Sequence, residues 1–218
     1  MPKIKERKMS ATNAPSTVAD AFLELLASRG IKYFFGNSGT DFAPIIEAFA
    51  KRQAQGRDEP VPVTVPHEIT AVAMAHGYTR ATGQPQAVMV HVIVGTANAL
   101  GGIINAARAR VPILFLAGRT PVTEKGYPGA RDLGIHWAQE SFDQGAMVRE
   151  FVKWDYELRF GSQIETIIDR SLAITQSEPC GPVYLTLPRE ELAAKMENTE
   201  LSNAARINAA SPTMPARD

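Results

Sequence analysis

The sequence predicts an α/β domain: a mostly parallel sheet with helices on both faces. Two observations lead there. Short runs of apolar, largely β-branched or aromatic residues recur along the chain, namely YFF at 33–35, VPVTV at 61–65, AVMVHVIV at 87–94, ILFLA at 113–117 and VYLTL at 183–187. Between them lie longer stretches whose apolar residues repeat at helical spacing. Strands that are apolar at nearly every position are buried on both sides, and strands alternating with amphipathic helices are the pattern of a covered parallel sheet.

Taken in order, Ser16 or Thr17 caps a helix whose Ala21, Phe22, Leu25 and Leu26 share a face and which Gly30 ends. YFF then stops at the turn-forming string Gly36, Asn37, Ser38, Gly39. Asp41 is placed to cap the next helix, in which Pro44 falls in the tolerated first turn. VPVTV leads into the helix HEITAVAMAHGYTRA, closed by Gly83. AVMVHVIV is expected to be a strand throughout, with His91 inside it, and to pass through a loop at Gly95–Asn98 into a helix. ILFLA leads into a long loop rich in glycine and proline, followed by a helix around 163–175 and a last strand ended by Pro188. Spacing alone does not set the order of the strands. Residues 1–15 read as a flexible tail, 16–193 as the domain and 194–218, polar with two late prolines, as a linker towards a further domain.

Composition narrows the function classes. Twenty-three basic and 23 acidic residues cancel, so no net field draws the chain to nucleic acid or an anionic membrane. The single cysteine, Cys180, cannot form an internal disulfide, which fits a reducing cytoplasm. No apolar run approaches the roughly 20 residues of a membrane span. The expected partners are small molecules or other proteins.

In parallel α/β sheets, ligands bind beyond the carboxyl ends of the strands, which directs attention to three junctions: Gly36–Asp41, Pro66–Glu68 and His91–Asn98. Glu68 opens a helix whose next turns carry Ala71, Ala73, Ala75 and Gly77, small residues that allow close packing; by itself it could be an ordinary first-turn acid favoured by the helix dipole. His91 in an apolar strand needs a hydrogen-bond partner or an exposed strand end, and could equally be a satisfied core histidine. The glycines of the third junction lack the lysine of a P-loop and do not fit a dinucleotide fingerprint, which argues against a nucleotide-dependent regulator.

Four strings, VADAFLELLASRGIKYFFGNSGTDFAPIIEAF, HEITAVAMAHGYTRATGQP, GTANALGGIINAARARVPILFLAG and GPVYLTLP, resemble in that order the N-terminal, pyrimidine-binding domain of acetolactate synthases, benzoylformate decarboxylase and related thiamine-diphosphate enzymes, over residues 17–191. The resemblance implies that Glu68 is the carboxylate that hydrogen-bonds the N1′ nitrogen of the cofactor's aminopyrimidine, sharing a proton so that the 4′-imino form can take the C2 proton of the thiazolium. Such a carboxylate must be largely desolvated. It also implies that Asn37, Ser38 and Gly39 form a turn beside the cofactor, that Asn98 and Gln139 lie near the pyrimidine, and that Thr40 and His91 match a catalytic serine and an active-site histidine of the decarboxylases. Two positions depart from the usual pattern: Ser38 replaces the proline of the first turn, and Val94 replaces the proline of the synthases' Gly-Pro-Gly turn.

In the family, the diphosphate and its magnesium are held by a separate domain whose Gly-Asp-Gly signature does not occur in these 218 residues, so this chain is expected to hold no metal and to be inactive alone. The resemblance implies a homo-oligomer, dimer or tetramer, completed by a diphosphate-binding domain from a longer chain or a second subunit. The expected function is the pyrimidine-binding part of an enzyme acting on 2-oxo acids by decarboxylation and carboligation, as in acetolactate synthase. The alternatives are a benzoylformate decarboxylase-like reaction and a non-catalytic binding module with the same fold.

Overall fold

The computed structural model describes residues 15–196 and 200–210. The first helix, α1 (Val18–Ser28), starts at Thr17, whose hydroxyl accepts the Asp20 amide at 3.1 Å while the Asp20 carboxylate accepts the Thr17 amide at 3.1 Å. This reciprocal cap satisfies two backbone donors that the first turn leaves open. Gly30, at φ +82°, reverses the chain into β1 (Tyr33–Asn37). There follow α2 (Ala43–Ala54), β2 (Val61–Thr64), α3 (Glu68–Thr82), β3 (Gln86–Val90), α4 (Val92–Arg108), β4 (Ile113–Arg119), the short α5 (Ile135–Ala138), β5 (Asp155–Glu157), α6 (Ile164–Gln176), β6 (Val183–Pro188) and α7 (Arg189–Ala193).

The six strands form one all-parallel sheet in the order β2-β1-β3-β4-β6-β5. Strand alternation sends side chains to two separate cores. Phe34, Ala87, Met89, Leu114, Leu116, Val183 and Leu185 meet α1, α2 and α6. Phe35, Val88, Val90, Ile113, Phe115 and Ala117 meet α3 and α4 on the other face. The α/β class with helices on both faces is therefore the architecture found. The small residues of α3 have a packing role: Ala71 and Ala75 are buried, α4 lies against them, and a Cβ at Gly102 of α4 would overlap the Val72 side chain.

Two elements differ from expectation. Strand β3 stops at Val90, and α4 begins at Val92, so His91 is the residue before the helix rather than a strand residue, and Gly95–Asn98 is helical rather than a loop. Val90 is the last β3 residue matched on both sides, by Asn37 of β1 and Ala117 of β4. Beyond it β1 has ended, although β4 runs on to Arg119 beside β6, and the backbone turns into a helix despite its β-branched sequence. Strand β5 was not anticipated: its DYE sequence has no apolar run, and only pairing with Tyr184–Thr186 at the sheet edge makes it a strand.

Of the tail expected at 1–15, only residue 15 lies among the described residues. Where described, the stretch expected to be a linker runs beside the domain. Lys195 bridges Thr17, the Ser202 amide donates to Glu165, and the Arg206 amide donates to Asp169 at 2.8 Å. Residues 197–199 and 211–218 lie outside the described residues.

Asp169 is fully buried and also accepts Arg29 Nε at 2.8 Å, and the Arg29 side chain is only 2 % exposed. Removing one partner of a buried pair leaves the other charge without compensation, at a cost of about 3–5 kcal/mol. Because Arg29 keeps Glu165 at 3.2 Å, Asp169→Ala should lower the unfolding free energy by less than that, about 1–3 kcal/mol, in urea melts. Lys51→Ala, which breaks a pair whose lysine is 45 % exposed, should change it by no more than about 1 kcal/mol.

Candidate functional site at the strand ends

The chain runs from β1 outward to β2 and then crosses back to place β3 on the other side of β1. This reversal opens a crevice at the carboxyl ends of β1 and β3, where ligands of such sheets bind. Asn37 ends β1, His91 follows β3, and Glu68 begins α3 just after β2. All three predicted junctions thus converge on one place.

Glu68 is 5 % exposed although it is the first residue of its helix. His67 caps α3, its Nδ1 accepting the Ile69 amide at 3.3 Å. The Glu68 carboxylate lies against the crevice, where Asn37 Nδ2 donates to Oε1 at 3.0 Å and Asn98 Nδ2 donates to Oε2 at 3.2 Å. Two amide donors, one per oxygen, fix the plane of the carboxylate and leave each oxygen a further lone pair. That arrangement is not the solvated first-turn acid of the simpler expectation.

Beside it lies a second network. His91, its side chain 18 % exposed, donates from Nδ1 to Asp41 Oδ1 at 2.5 Å, and its Nε2 lies 2.8 Å from Gln139 Nε2. Asp41 is 2 % exposed. Its expected role as a helix cap is not found: a 3₁₀ turn at Thr40–Phe42 precedes α2, Phe42 occupies the cap position, and the Asp41 carboxylate turns to His91 and to the Val92 amide at 3.4 Å. Val92 is held at φ +35°, a left-handed conformation rare for a β-branched residue and of the kind that persists where surrounding contacts enforce it. Two glycines make room. A Cβ at Gly118 would overlap the Asp41 carboxylate, and one at Gly39 would overlap the His91 ring.

Thr40 Oγ1 pairs with His136 Nε2 at 3.3 Å, and the backbone carbonyl of Gln139 accepts the Thr120 hydroxyl at 2.9 Å. Of the predicted site residues, Glu68, Asn37 and Asn98 form one hydrogen-bonded cluster. His91, Gln139 and Gly39 form the second, with Thr40 adjacent in sequence to Asp41. Ser38 joins neither: it is exposed and lines a shallow cavity of about 160 Å³ with Phe34, Ile46 and Phe49. Sequence reasoning missed Asp41 as a partner of His91, and it missed His136 and Arg189. The last donates to the carbonyls of Gly129 and Ala130 and to Asp132, pinning the loop that carries His136. These partners lie 50 or more residues away in the chain, beyond any local signal, although His136 also meets Asp132 four residues before it. Among the described residues, no group of three or more histidine, cysteine or acidic side chains is placed to hold a metal ion, and no helix is long and apolar enough to cross a membrane.

Residues 16–147, more than half of the chain, match the family described as "Thiamine pyrophosphate enzyme, N-terminal TPP binding domain". The chain belongs to this family. Over 179 residues it is 27 % identical to benzoylformate decarboxylase of Pseudomonas aeruginosa, a match that covers 81 % of this chain and 31 % of the relative. Over 174 residues it is 29 % identical to the acetolactate synthase isozyme 3 large subunit of Escherichia coli, covering 80 % of this chain and 28 % of that one. Among solved structures, the thiamine diphosphate-dependent 4-hydroxybenzoylformate decarboxylase of Rhodococcus jostii RHA1 superposes with a TM-score of 0.70 at 25 % identity, covering 84 % of this chain and 32 % of that chain. The chain thus spans about a third of the length of these relatives. Within this thiamine pyrophosphate enzyme domain, the Glu68 cluster and the His91 cluster sit side by side at the crevice of the sheet.

His136 is buried, and its pKa is lowered, first by that burial and then by the Arg189 cation, against the opposing pull of Asp132. Its folded value lies below the ordinary 6.5, so the unfolded chain binds a proton first as pH falls. The stability that neutral His136 contributes is complete above about pH 6.5 and is lost as pH drops towards the folded value. Urea midpoints should fall across that window, and His136→Gln should remove this part of the slope.

Proposed function

We propose that this chain forms the pyrimidine-binding half of a thiamine-diphosphate-dependent active site acting on 2-oxo acids. The reaction we assign is decarboxylation followed by carboligation, as in an acetolactate synthase-like transferase. The single observation that carries the reading is Glu68: a carboxylate withdrawn from water, at the ligand-binding edge of the sheet, with each oxygen fixed by one amide. The donor set suits an aminopyrimidine, because a planar carboxyl with a free lone pair can share a proton with a ring nitrogen. When bound, thiamine diphosphate supplies the carbon nucleophile for the 2-oxo carbonyl and the electron sink for the broken carbon–carbon bond. Glu68 would hold the proton shared with N1′. Asn37 and Asn98 would keep its carboxylate in plane, and the turn at Asn37–Gly39 would flank the ring. Thr40, His91 and Gln139 would face the reacting side, as hydroxyl, imidazole and amide that can donate to or accept from a carboxylate or carbonyl.

His91 favours a second reading, in which the reaction ends by protonation as in benzoylformate decarboxylase. An imidazole with one nitrogen anchored and the ring still partly open to the crevice is suited to deliver a proton. A non-catalytic module is the less economical explanation, because no packing need accounts for a buried carboxylate, two carboxamides and an imidazole in one crevice.

The diphosphate and magnesium are assigned to a second domain, on a longer chain or another subunit, without which this chain should not turn over. Assembly as a homodimer or tetramer is supported by the exposed face of α3 and α4, which carries Ile69, Met74 and Val94 at 41–47 % exposure beside the small residues Ala73, Gly77, Ala97 and Gly101. One cysteine, partly exposed and unpaired, is consistent with a cytoplasmic setting.

Glu68→Gln tests the reading. In the assembled enzyme it should lower kcat by about a hundredfold or more, the range lost with a general acid–base group, while circular dichroism of the chain stays unchanged. Turnover within a fewfold of wild type would exclude Glu68 from the chemistry.

A further inference from the structure

We propose that Asp41 is a positioning residue: it fixes which nitrogen of His91 carries the proton and, through His91, which way the Gln139 amide faces. The proposal rests on the thiamine reading for its catalytic consequence, and on the geometry alone for its structural part. A carboxylate only accepts, so the 2.5 Å contact requires the proton to sit on Nδ1 of His91. In the neutral ring Nε2 is then a bare acceptor, and the atom 2.8 Å from it must be the Gln139 nitrogen rather than its oxygen. The line Asp41–His91–Gln139 has a single consistent direction of donation. It leaves Gln139 Oε1 turned away from the imidazole and the lone pair of His91 Nε2 directed at the Gln139 amide.

Several features of the fold serve this line. Asp41 is almost wholly buried, and its second oxygen accepts the amide of Val92, the residue held at φ +35°. One carboxylate therefore anchors both the imidazole and the strained junction that aims it. Gly118 at the end of β4 leaves space that the carboxylate fills, and Gly39 lets the turn close over the ring. The Thr120 hydroxyl holds the backbone of Gln139 at its carbonyl, so the amide can respond to His91 by rotating rather than by moving away. The charged and titratable groups facing the dyad are few. His136 lies on the far side of Thr40, and Arg189 reaches the Thr40 carbonyl at 3.4 Å.

The test is a long-range proton–nitrogen correlation spectrum of the histidine rings in the ¹⁵N-labelled 218-residue chain, at a pH of about 8, above the ordinary histidine range. His91→Asn supplies the assignment among the four histidines. The wild-type ring should be the Nδ1-protonated tautomer. In Asp41→Asn, whose amide can donate, it should change to the Nε2-protonated one, with a matching shift of the Gln139 side-chain amide signals. In the assembled enzyme, Asp41→Asn should lower kcat by about tenfold to a hundredfold with KM within about twofold, because the ring keeps its place and loses its proton arrangement. An Nε2-protonated His91 in the folded wild type overturns the proposal, and this measurement decides even if Asp41→Asn does not fold. A folded Asp41→Asn with unchanged tautomer, or with changed tautomer and unchanged kcat, also overturns it. Retained turnover in the Glu68→Gln enzyme would overturn the thiamine reading while leaving the ring spectrum as it stands, so the two failures are told apart.

Discussion

A carboxylate taken out of water has to be given hydrogen-bond donors, since an uncompensated buried charge costs several kcal/mol and each bond to a charged group returns only about 1.5–3. Glu68 is placed where its own helix cannot supply both donors. They come from Asn37, at the end of β1, and from Asn98, in the second turn of α4. These residues can reach one carboxylate only if β1 lies between β2 and β3, so that the helices leaving β2 and β3 start side by side across the end of β1. The sheet order and the site are therefore one constraint seen from two sides. A chain that paired its strands differently would bury the same acid without partners.

The parts of this arrangement that sequence discloses are those whose physics is local. Apolar runs, a Thr17 cap, the left-handed Gly83 and the first-turn Pro44 mark elements because each acts within a few residues. Strand β5 is invisible for the complementary reason: its three residues are a strand only because β6 offers an edge. His91 was legible as a residue needing a partner but not as the residue before a helix, because β3 stops level with the end of its neighbour β1, whose position is a tertiary fact. Asp41 was read as a cap since acidic residues before helices usually are. Its actual partners lie 50 and 51 residues further on and carry no local trace. The choice of residue types at the site was thus readable, while the pairing among them was not.

The segment 37–41 shows how tertiary contacts can replace a covalent restriction. A proline at its centre would limit the backbone of the turn by fixing φ. Ser38 gives no such limit, and its side chain faces away from the crevice. The turn is instead held at four of its five residues: Asn37 by Glu68, Gly39 by close approach to the His91 ring, Thr40 by His136, and Asp41 by His91 and Val92. Restraint by proline is a property of one residue and survives most changes elsewhere. Restraint by contacts is shared among the second junction, the third junction, β4 and the loop pinned by Arg189, so the geometry of the turn depends on all of them together. Substitutions at Gly118 or Arg189, neither of which touches Glu68, would reach the carboxylate through this turn. The crevice is accordingly a single mechanical unit in which the proton-sharing carboxylate and the imidazole are coupled by the short stretch of backbone that contacts both.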